Sequence, residues 1–255
     1  MQITLACNLG CYKQHQVLAP GHLQRLGVRH VEVVQIPPEP RRDAYLVGLA
    51  AHGLDVTSVQ IPGDIHASDH LARFARDFRA VRQLGARIAF SSVQRGELPE
   101  AEAYARLRRV GDLAAEWGVV LSLETHPDLM ANAAQGVRTL QGVGHPHVRA
   151  NFDTANIVYY NQGADVLAEL RALLPYVASV HLKDTSGGYR ESTFGALGAG
   201  VVPVAGAIQL LQAAGFNGPY TMELEGVAGV PDTEATVLAR MADSVSYLRG
   251  LGVVV

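Results

Sequence analysis

The chain has 255 residues, of which 48% are hydrophobic and 18% are charged, a balance typical of a globular protein with a sizeable core. This composition excludes fibrous and intrinsically disordered classes. The formal net charge of −3 lacks the basic excess that nucleic-acid-binding proteins normally carry, so we expect no nucleic-acid partner.

The first residues carry no signal for export or membrane insertion. The segment MQITLACNLGCYKQ has no basic stretch leading into a long apolar run, and no apolar run elsewhere is long enough to span a bilayer. We therefore expect a cytoplasmic protein with no membrane partner. Cys7 and Cys11 have no second Cys/His pair at zinc-site spacing, which favours reduced, structural thiols over a disulfide or half of a zinc site.

Short β-rich segments alternate with amphipathic helical segments along the whole chain. In chain order, the predicted strands are 3–7, 30–35, 55–61, 86–93, 119–126, 148–153, 177–183 and 220–225. Between them, apolar residues recur at three- and four-residue spacing, most clearly in 71–84, 101–117, 166–174 and 233–248. Left-handed helix C-caps are predicted just before strands, at Gly27, Gly53, Gly85, Gly118 and Gly215.

Eight strand–helix units of about 30 residues predict parallel strands joined by helical crossovers. An open doubly wound sheet would usually have a Gly-rich phosphate loop after its first strand, and CNLGCYKQ is no such loop. No linker of domain size interrupts the pattern. The sequence therefore predicts a single α/β domain, residues 1–255, with the (β/α)8 TIM-barrel fold.

The last four predicted strands carry polar residues at every second position, although strands of a parallel sheet are normally apolar on both faces. Because side chains alternate across a strand, each polar stripe occupies one face. If the apolar stripe packs beneath the helices, the polar stripe points into the barrel. The inward pairs are then Ser122 and Glu124, Asn151 and Asp153, Ser179 and His181, and Thr221 and Glu223.

Glu124, Asp153, His181 and Glu223 would form a ring at the carboxyl-terminal mouth of the barrel, where TIM-barrel enzymes do their chemistry. Converging carboxylates repel one another, and a divalent cation would neutralise them. Oxygen-rich ligation with one nitrogen suits Mn²⁺, our first expectation, or Mg²⁺, with Co²⁺ and Zn²⁺ as alternatives. Each residue alone also fits an ordinary role, such as a salt-bridged glutamate, a core histidine or a turn-capping aspartate. The common register in four strands favours the metal site.

Segments around these residues resemble the xylose-isomerase-like TIM-barrel superfamily of sugar isomerases and 3-epimerases. They are LSLETHPD, NFDTANIVYY, VHLKDTSGGYRESTFGALGAG and GPYTMELEG, and the resemblance covers essentially the whole chain. The HLKDT segment and the FG-x-x-G-x-G stretch are most similar to the L-ribulose-5-phosphate 3-epimerase-like branch. Two positions depart from the pattern of some 3-epimerases: Asn156 stands where several of them have a substrate-binding His, and Gly187 stands where some have an Arg, for which Arg190 is the candidate substitute.

The resemblance implies a metal-dependent isomerase or epimerase that transfers a proton through an enediolate of a sugar or sugar phosphate. In this hypothesis Glu124 and Glu223 are both metal ligands and the catalytic acid/base pair, whereas Asp153 and His181 mainly hold the metal. The predicted substrate contacts are His126, Asn156, Lys183, Glu225, His66, Glu32 and Arg190.

Other uses of such a barrel stay open at this point. An inosose-dehydratase-like lyase would use the same metal and base to eliminate a hydroxyl, and a non-catalytic carbohydrate-binding barrel would keep the metal without turnover. An endonuclease IV-like phosphodiesterase is disfavoured because it needs several zinc ions, more histidines and a basic surface. We expect a small-molecule partner and a homodimer or homotetramer as the assembly. The GALGAG segment, 195–200, is predicted to be a flexible loop over the mouth.

Overall fold

The computed structural model describes residues 3–253. Its centre is a closed barrel of eight parallel strands, in which each strand pairs with the next along the chain and the last pairs with the first. The TIM-barrel prediction is confirmed. The barrel strands are β1 (Thr4–Asn8), β2 (His30–Val33), β3 (Asp55–Gln60), β4 (Ile88–Ser91), β5 (Val120–Glu124), β6 (Val148–Asp153), β7 (Val177–Leu182) and β9 (Pro219–Met222), and a separate antiparallel sheet contains β8 (Thr193–Phe194) and β10 (Gly226–Val227).

Helices cover the outside of the barrel. The predicted segments 71–84 and 101–117 coincide with α3 and α4 to within one residue. The glycines predicted as C-caps all have positive φ, between 61° and 84°. The helices are α1 (Ala19–Arg25), α2 (Arg42–Ala50), α3 (His70–Gln83), α4 (Glu100–Trp117), α5 (Ala133–Val143), α6 (Asn156–Tyr160), α7 (Val166–Leu173), α8 (Val204–Ala213) and α9 (Glu234–Gly250), with 3₁₀ segments at Leu9–Leu18, Glu39–Arg41 and Leu174–Tyr176.

Several barrel strands end earlier than the sequence pattern predicts. β5 ends at Glu124 rather than at residue 126, and β9 ends at Met222 rather than at residue 225. The backbone ladder continues slightly further, because Thr125 N donates to Asn151 O (3.1 Å) and Glu223 N donates to Leu182 O (3.0 Å). The polar residues beyond these points therefore begin the loops at the carboxyl-terminal mouth.

The alternation of the last four strands divides their side chains as predicted. Leu121, Phe152, Val180 and Met222 are fully buried and belong to the apolar core of the protein. The small polar residues of the opposite stripes are also fully buried: Ser122, Asn151, Ser179 and Thr221. The hydroxyls of Ser122 and Ser179 hydrogen-bond to each other (2.8 Å), and the Asn151 amide lies 2.9 Å from His181 Nε2, so these residues form a polar layer beneath the mouth.

The segment after β7 differs from the flexible loop that the sequence predicts. The buried carboxylate of Asp184 accepts backbone N–H groups of Gly198 (2.9 Å), Gly200 (3.0 Å) and Val202 (3.0 Å). These charge-assisted hydrogen bonds hold the GALGAG segment in place. The sequence pattern does not predict the small β8–β10 sheet, in which β8, just before this segment, pairs with β10 from the region after β9.

Both cysteines are free and buried, in agreement with the prediction of structural thiols. Cys11 Sγ accepts the backbone N–H of Leu224 at 3.0 Å and thereby links the loop after β1 to the loop after β9. No helix within residues 3–253 is both long enough and apolar enough to cross a bilayer.

Leu121→Ala should lower the free energy of unfolding by about 2–5 kcal/mol, because it leaves a cavity in a fully packed core. Urea denaturation measures this loss. Val47→Ala, at a residue of α2 that is 69% exposed, serves as the control and should change stability by no more than about 0.5 kcal/mol. Equal losses in the two variants would contradict the assignment of Leu121 to the core.

Candidate metal centre

The structure brings the four residues of the predicted ring together. Glu124, Asp153, His181 and Glu223 each offer one ligand atom, and these atoms all lie within 4.8 Å of one another. Ligands of one ion with bonds of about 2.0–2.6 Å can lie at most about 4–5 Å apart. The arrangement thus has the dimensions of a single-ion site.

His181 lies at the centre of the ring. Its Nδ1 atom is 3.3 Å from Glu124 Oε1, 3.2 Å from Glu223 Oε2 and 3.9 Å from Asp153 Oδ2. None of these contacts has hydrogen-bond alignment, and Nδ1 is buried without a hydrogen-bond partner in the described part of the chain. A buried nitrogen that faces three carboxylates in this way is placed to share a cation with them.

Asp153 uses its two oxygens differently. Oδ1 accepts the backbone N–H groups of Ala155 (2.9 Å) and Asn156 (2.8 Å), so it does cap the turn that leads into α6. Oδ2 is fully buried and has no hydrogen-bond partner among residues 3–253, although Lys183 Nζ lies 3.4 Å away. The turn-capping role and the ligand role of Asp153 are therefore compatible.

Neutral and cationic donors orient the two glutamates. Ser92 Oγ donates a short hydrogen bond to Glu124 Oε2, and His126 Nδ1 lies 3.1 Å from the same oxygen. Glu223 accepts from Asn8 Nδ2 (3.1 Å) and from Lys183 Nζ (3.2 Å). Each glutamate is thus held toward the ring by groups from other strands or loops.

The charges of the ring are only partly balanced by the side chains around it. Burial would lower the pKa of His181, but the Glu223 and Glu32 carboxylates raise it well above its ordinary value. Burial would raise the pKa of Glu223, but Lys183 and His181 lower it to about 2. Burial raises the pKa of Asp153 to about 7 despite the nearby Lys183. Asp153 is therefore the carboxylate whose ionisation most needs further positive charge.

A divalent cation fits these residues. Asp153 Oδ2 and His181 Nδ1 are buried polar atoms without hydrogen-bond partners in residues 3–253, and both face the two glutamates. Such orphaned atoms are costly unless a group bound between them satisfies them. The donor set of three carboxylates and one imidazole is one that divalent metals accept.

Glu32 lies behind the ring and contacts the far side of its histidine. Its carboxylate is fully buried and accepts from Asn8 Nδ2 (2.9 Å) and Ser58 Oγ (2.7 Å), and Oε1 lies 3.1 Å from His181 Nε2. A carboxylate there keeps the proton on Nε2 and leaves the Nδ1 lone pair facing the ring. The Asn151 amide, 2.9 Å from Nε2, must then turn its oxygen toward this nitrogen.

A cavity of about 350 Å³ opens above the ring. It is lined by four of the predicted substrate contacts, namely His126, Asn156, Lys183 and Glu225. Lys183 is almost completely buried and forms salt bridges with Glu223 (3.2 Å) and, at short range, with Glu225. Lys183 therefore lies at the mouth, and its ammonium is paired with carboxylates of the cavity.

The other three predicted contacts lie outside this cavity. Glu32 is enclosed behind His181, as described above. His66 is exposed, and its Nε2 atom lies 3.1 Å from Gln94 O. Arg190 is exposed and its guanidinium stacks on the neighbouring Tyr189 ring, 5.3 Å from the centroid. The geometry gives no support for substrate contact by these three side chains.

Several cavity residues were not predicted from the sequence. Gln60 is the last residue of β3, and Ser92 follows β4. Their positions at strand ends could have indicated from the sequence that they line the cavity. The aromatic wall comes from α6 and β8, where no strand alternation could have indicated it. The unpredicted lining residues are Gln60, Ser92, Tyr159, Tyr160, Ser192 and Phe194.

A closed eight-stranded barrel with acidic and histidine side chains at its carboxyl-terminal mouth defines a TIM-barrel protein with a candidate metal centre. The family model of the xylose isomerase-like TIM barrel matches residues 21–249. The chain belongs to this family, whose fold is that of sugar-modifying enzymes.

Individual relatives include dehydratases and an epimerase. A 3-dehydroshikimate dehydratase from Bacillus anthracis is 30% identical over 82 residues, which are 32% of this chain and only 29% of that enzyme's length. The solved structure of a probable 3-DHS dehydratase from Bacillus anthracis has a TM-score of 0.77 at 16% identity and covers 98% of this chain and 99% of its own. A structure of L-ribulose 3-epimerase has a TM-score of 0.76 at 19% identity, over 97% and 93% of the two chains. At these identities the two structures share the fold.

Glu32→Gln should weaken Mn²⁺ binding about 10- to 100-fold, because an amide no longer anchors the Nε2 proton of His181 with a negative charge. Isothermal titration calorimetry of metal-stripped protein measures the change, and circular dichroism checks that the variant is folded. Glu116→Gln, an exposed glutamate on α4, is the matched control. Unchanged Mn²⁺ affinity in a folded Glu32→Gln variant would refute this role.

Proposed function

We propose that the protein is a divalent-metal-dependent isomerase or epimerase of sugars or sugar phosphates that acts by proton transfer through an enediolate. The observation that carries this proposal is the position of the two glutamates. In barrel order the ring reads Glu124, Asp153, His181, Glu223, so the glutamates flank the other two residues, and both line the cavity. Inversion of one carbon is served by two carboxylates, one that removes the proton and one that returns a proton to the opposite face, and transfer to the adjoining carbon needs only one of them.

The cavity suits a small polyhydroxylated molecule. Its volume of about 350 Å³ is at the lower end of ligand pockets. Its lining combines hydrogen-bonding side chains, among them Gln60, Asn156 and Lys183, with the rings of Tyr159 and Phe194. A sugar matches such a surface because it has hydroxyl groups on its edges and C–H groups on its faces.

The chain's own groups supply the proton transfer. A divalent ion held by the ring would supply Lewis acidity toward adjacent substrate oxygens. Glu124 or Glu223 removes the proton next to the carbonyl, and return on the opposite face or at the adjoining carbon gives epimerisation or isomerisation. Burial would raise the pKa of Glu124, but the imidazoles of His126 (3.1 Å) and His181 (3.3 Å) beside it hold this pKa well below its ordinary value, so the base is ionised at neutral pH.

We propose Mn²⁺ as the metal, with Mg²⁺, Co²⁺ and Zn²⁺ as alternatives, since the donor set is three oxygens and one nitrogen. Asp153 and His181 would mainly hold the ion, because neither lines the cavity. Within residues 3–253 this is the single cluster of its kind and it contains one histidine, which disfavours a multi-zinc phosphodiesterase.

A dehydratase is the second candidate. The local identity to 3-dehydroshikimate dehydratase favours it, and so does the placement of His126 beside Glu124. Elimination of a hydroxyl needs an acid near the base. Burial would lower the pKa of His126, but the Glu124 carboxylate 3.1 Å away outweighs burial and raises this pKa, which suits the imidazole to donate a proton to a leaving hydroxyl.

Solvent exchange separates these activities. Mn²⁺-loaded protein is incubated in D2O with free ketoses, ketose phosphates and 3-dehydroshikimate, and products are analysed by mass spectrometry and NMR. The proposal predicts deuterium at the carbon next to the carbonyl in an epimerised or isomerised ketose. Loss of water instead would establish the dehydratase, and absence of exchange across the panel would favour a non-catalytic barrel.

Replacing either cavity glutamate should lower the exchange rate by about 10²- to 10⁴-fold, the usual contribution of a positioned acid or base. The variants are Glu124→Gln and Glu223→Gln, with Glu116→Gln as the control that should exchange at the wild-type rate. Because both residues are also proposed ligands, each rate is measured at saturating Mn²⁺ with the bound metal quantified. A metal-loaded variant that exchanges at the wild-type rate would exclude that residue as acid or base.

A further inference from the structure

Lysine is rare in this chain, and both lysines line the catalytic cavity or a cavity beside it. The sequence contains two lysines among 21 basic residues, the rest being arginines. Lys183 lines the catalytic cavity, and Lys13, in the loop after β1, lines two cavities beside it. A chain that otherwise uses arginine thus has both of its lysines in the cleft.

The cavities that contain Lys13 adjoin the catalytic one and share lining residues with it. A chamber of about 440 Å³ is lined by Lys13, Ser192, Phe194, Glu225 and residues 226–230 and 232, and we call it the Lys13 chamber. It shares Ser192, Phe194 and Glu225 with the catalytic cavity. A third cavity of about 210 Å³ contains Lys13 together with Glu223. A ligand at the metal centre can therefore extend past Glu225 toward Lys13.

The acidic residues of the Lys13 chamber have cationic partners of their own. Glu225 is paired with Lys183, and Asp232 with Arg240 at 2.7 Å. Lys13 has no ion pair and no side-chain hydrogen bond to any residue between 3 and 253, and its side chain is only partly exposed. Lys13 is thus the charge in this chamber that has no partner within the described chain.

The backbone holds Lys13 in a conformation that non-glycine residues rarely adopt. Its φ and ψ are 50° and −130°. Such strain persists only where the surroundings fix it, and it is concentrated at functional sites. Gln14 and His15 fix this conformation, because Gln14 Nε2 donates to Asp232 O (2.7 Å) and His15 Nε2 lies 3.1 Å from the same oxygen.

We propose that Lys13 binds a terminal anionic group of the substrate, a phosphate or a carboxylate, while the carbonyl end lies at the metal centre. The proposal rests on the proposed function for the position of the carbonyl end. An ammonium suits this task because it is a compact charge with three rotatable donors. An uncharged sugar would leave this cation without a partner, so the substrate class is that of acidic polyhydroxy carbonyl compounds.

Two lysines make a direct test practical. Reductive methylation with ¹³C-formaldehyde gives few dimethylamine signals in the Mg²⁺-loaded protein, and Lys13→Arg identifies the one from Lys13. Inorganic phosphate, a pentulose 5-phosphate and 3-dehydroshikimate are titrated, with free pentulose and sodium chloride as controls. We expect a saturable shift of the Lys13 signal with the phosphates or with the carboxylate 3-dehydroshikimate. The compound that causes the shift identifies the anionic group that Lys13 binds. No saturable shift with any of them, or the same shift with chloride, would overturn the proposal.

Affinity measurements give the second test. Lys13→Met should weaken binding of the responding anionic compound about tenfold or more, as loss of a charge-assisted hydrogen bond does. Lys13→Arg should retain most of the affinity, and Arg171→Met, an exposed arginine on α7, should bind as wild type. Equal loss for the free pentulose would mean that Lys13 shapes the cleft generally, against the proposal. Absence of solvent exchange would refute the proposed function but leave anion binding at Lys13 intact.

Discussion

The structure depends on the concentration of buried negative charge around one imidazole. Four carboxylates, those of Glu32, Glu124, Asp153 and Glu223, lie between 3.1 and 3.9 Å from the ring nitrogens of His181. Ionised groups at such depth are stable only when they are paired or bind a cation. The polar layer inside the barrel and the donors at its mouth hold these groups together, and a metal ion would relieve the remaining repulsion.

The sequence predicted this site because the barrel converts a one-dimensional pattern into a ring. Side chains alternate along each strand, and parallel strands in register end at one mouth, so residues such as Glu124 and Asp153 had to meet if the fold was a barrel. The same reasoning predicted the cavity positions of His126 and Lys183. It also predicted most element bounds to within a few residues, since periodicity and glycine caps are local signals.

What the sequence could not predict depends on tertiary contacts. Glu32 has the alternation of an inward-facing residue, but alternation does not reveal whether a side chain faces substrate or the back of a histidine. The sheet of β8 and β10 has two residues in each strand, too few for any periodic signal. The loop at 195–200 looked mobile because it is rich in glycine, whereas the Asp184 carboxylate fixes it through backbone N–H groups that no sequence pattern specifies.

A barrel of this family supports several reactions, so the substrate follows from the cleft rather than from the fold. Glu124 and Glu223, which flank the other two ring residues, favour proton transfer on two faces of the substrate. The ammonium of Lys13, unpaired within residues 3–253, favours an acidic substrate. The proposed proton transfer depends on one metal centre. Crystals grown with Mn²⁺ test it directly by anomalous diffraction at the manganese edge. We expect one peak, bonded to one atom each of Glu124, Asp153, His181 and Glu223; a peak elsewhere, or none at saturating Mn²⁺, would contradict the assignment of this metal centre.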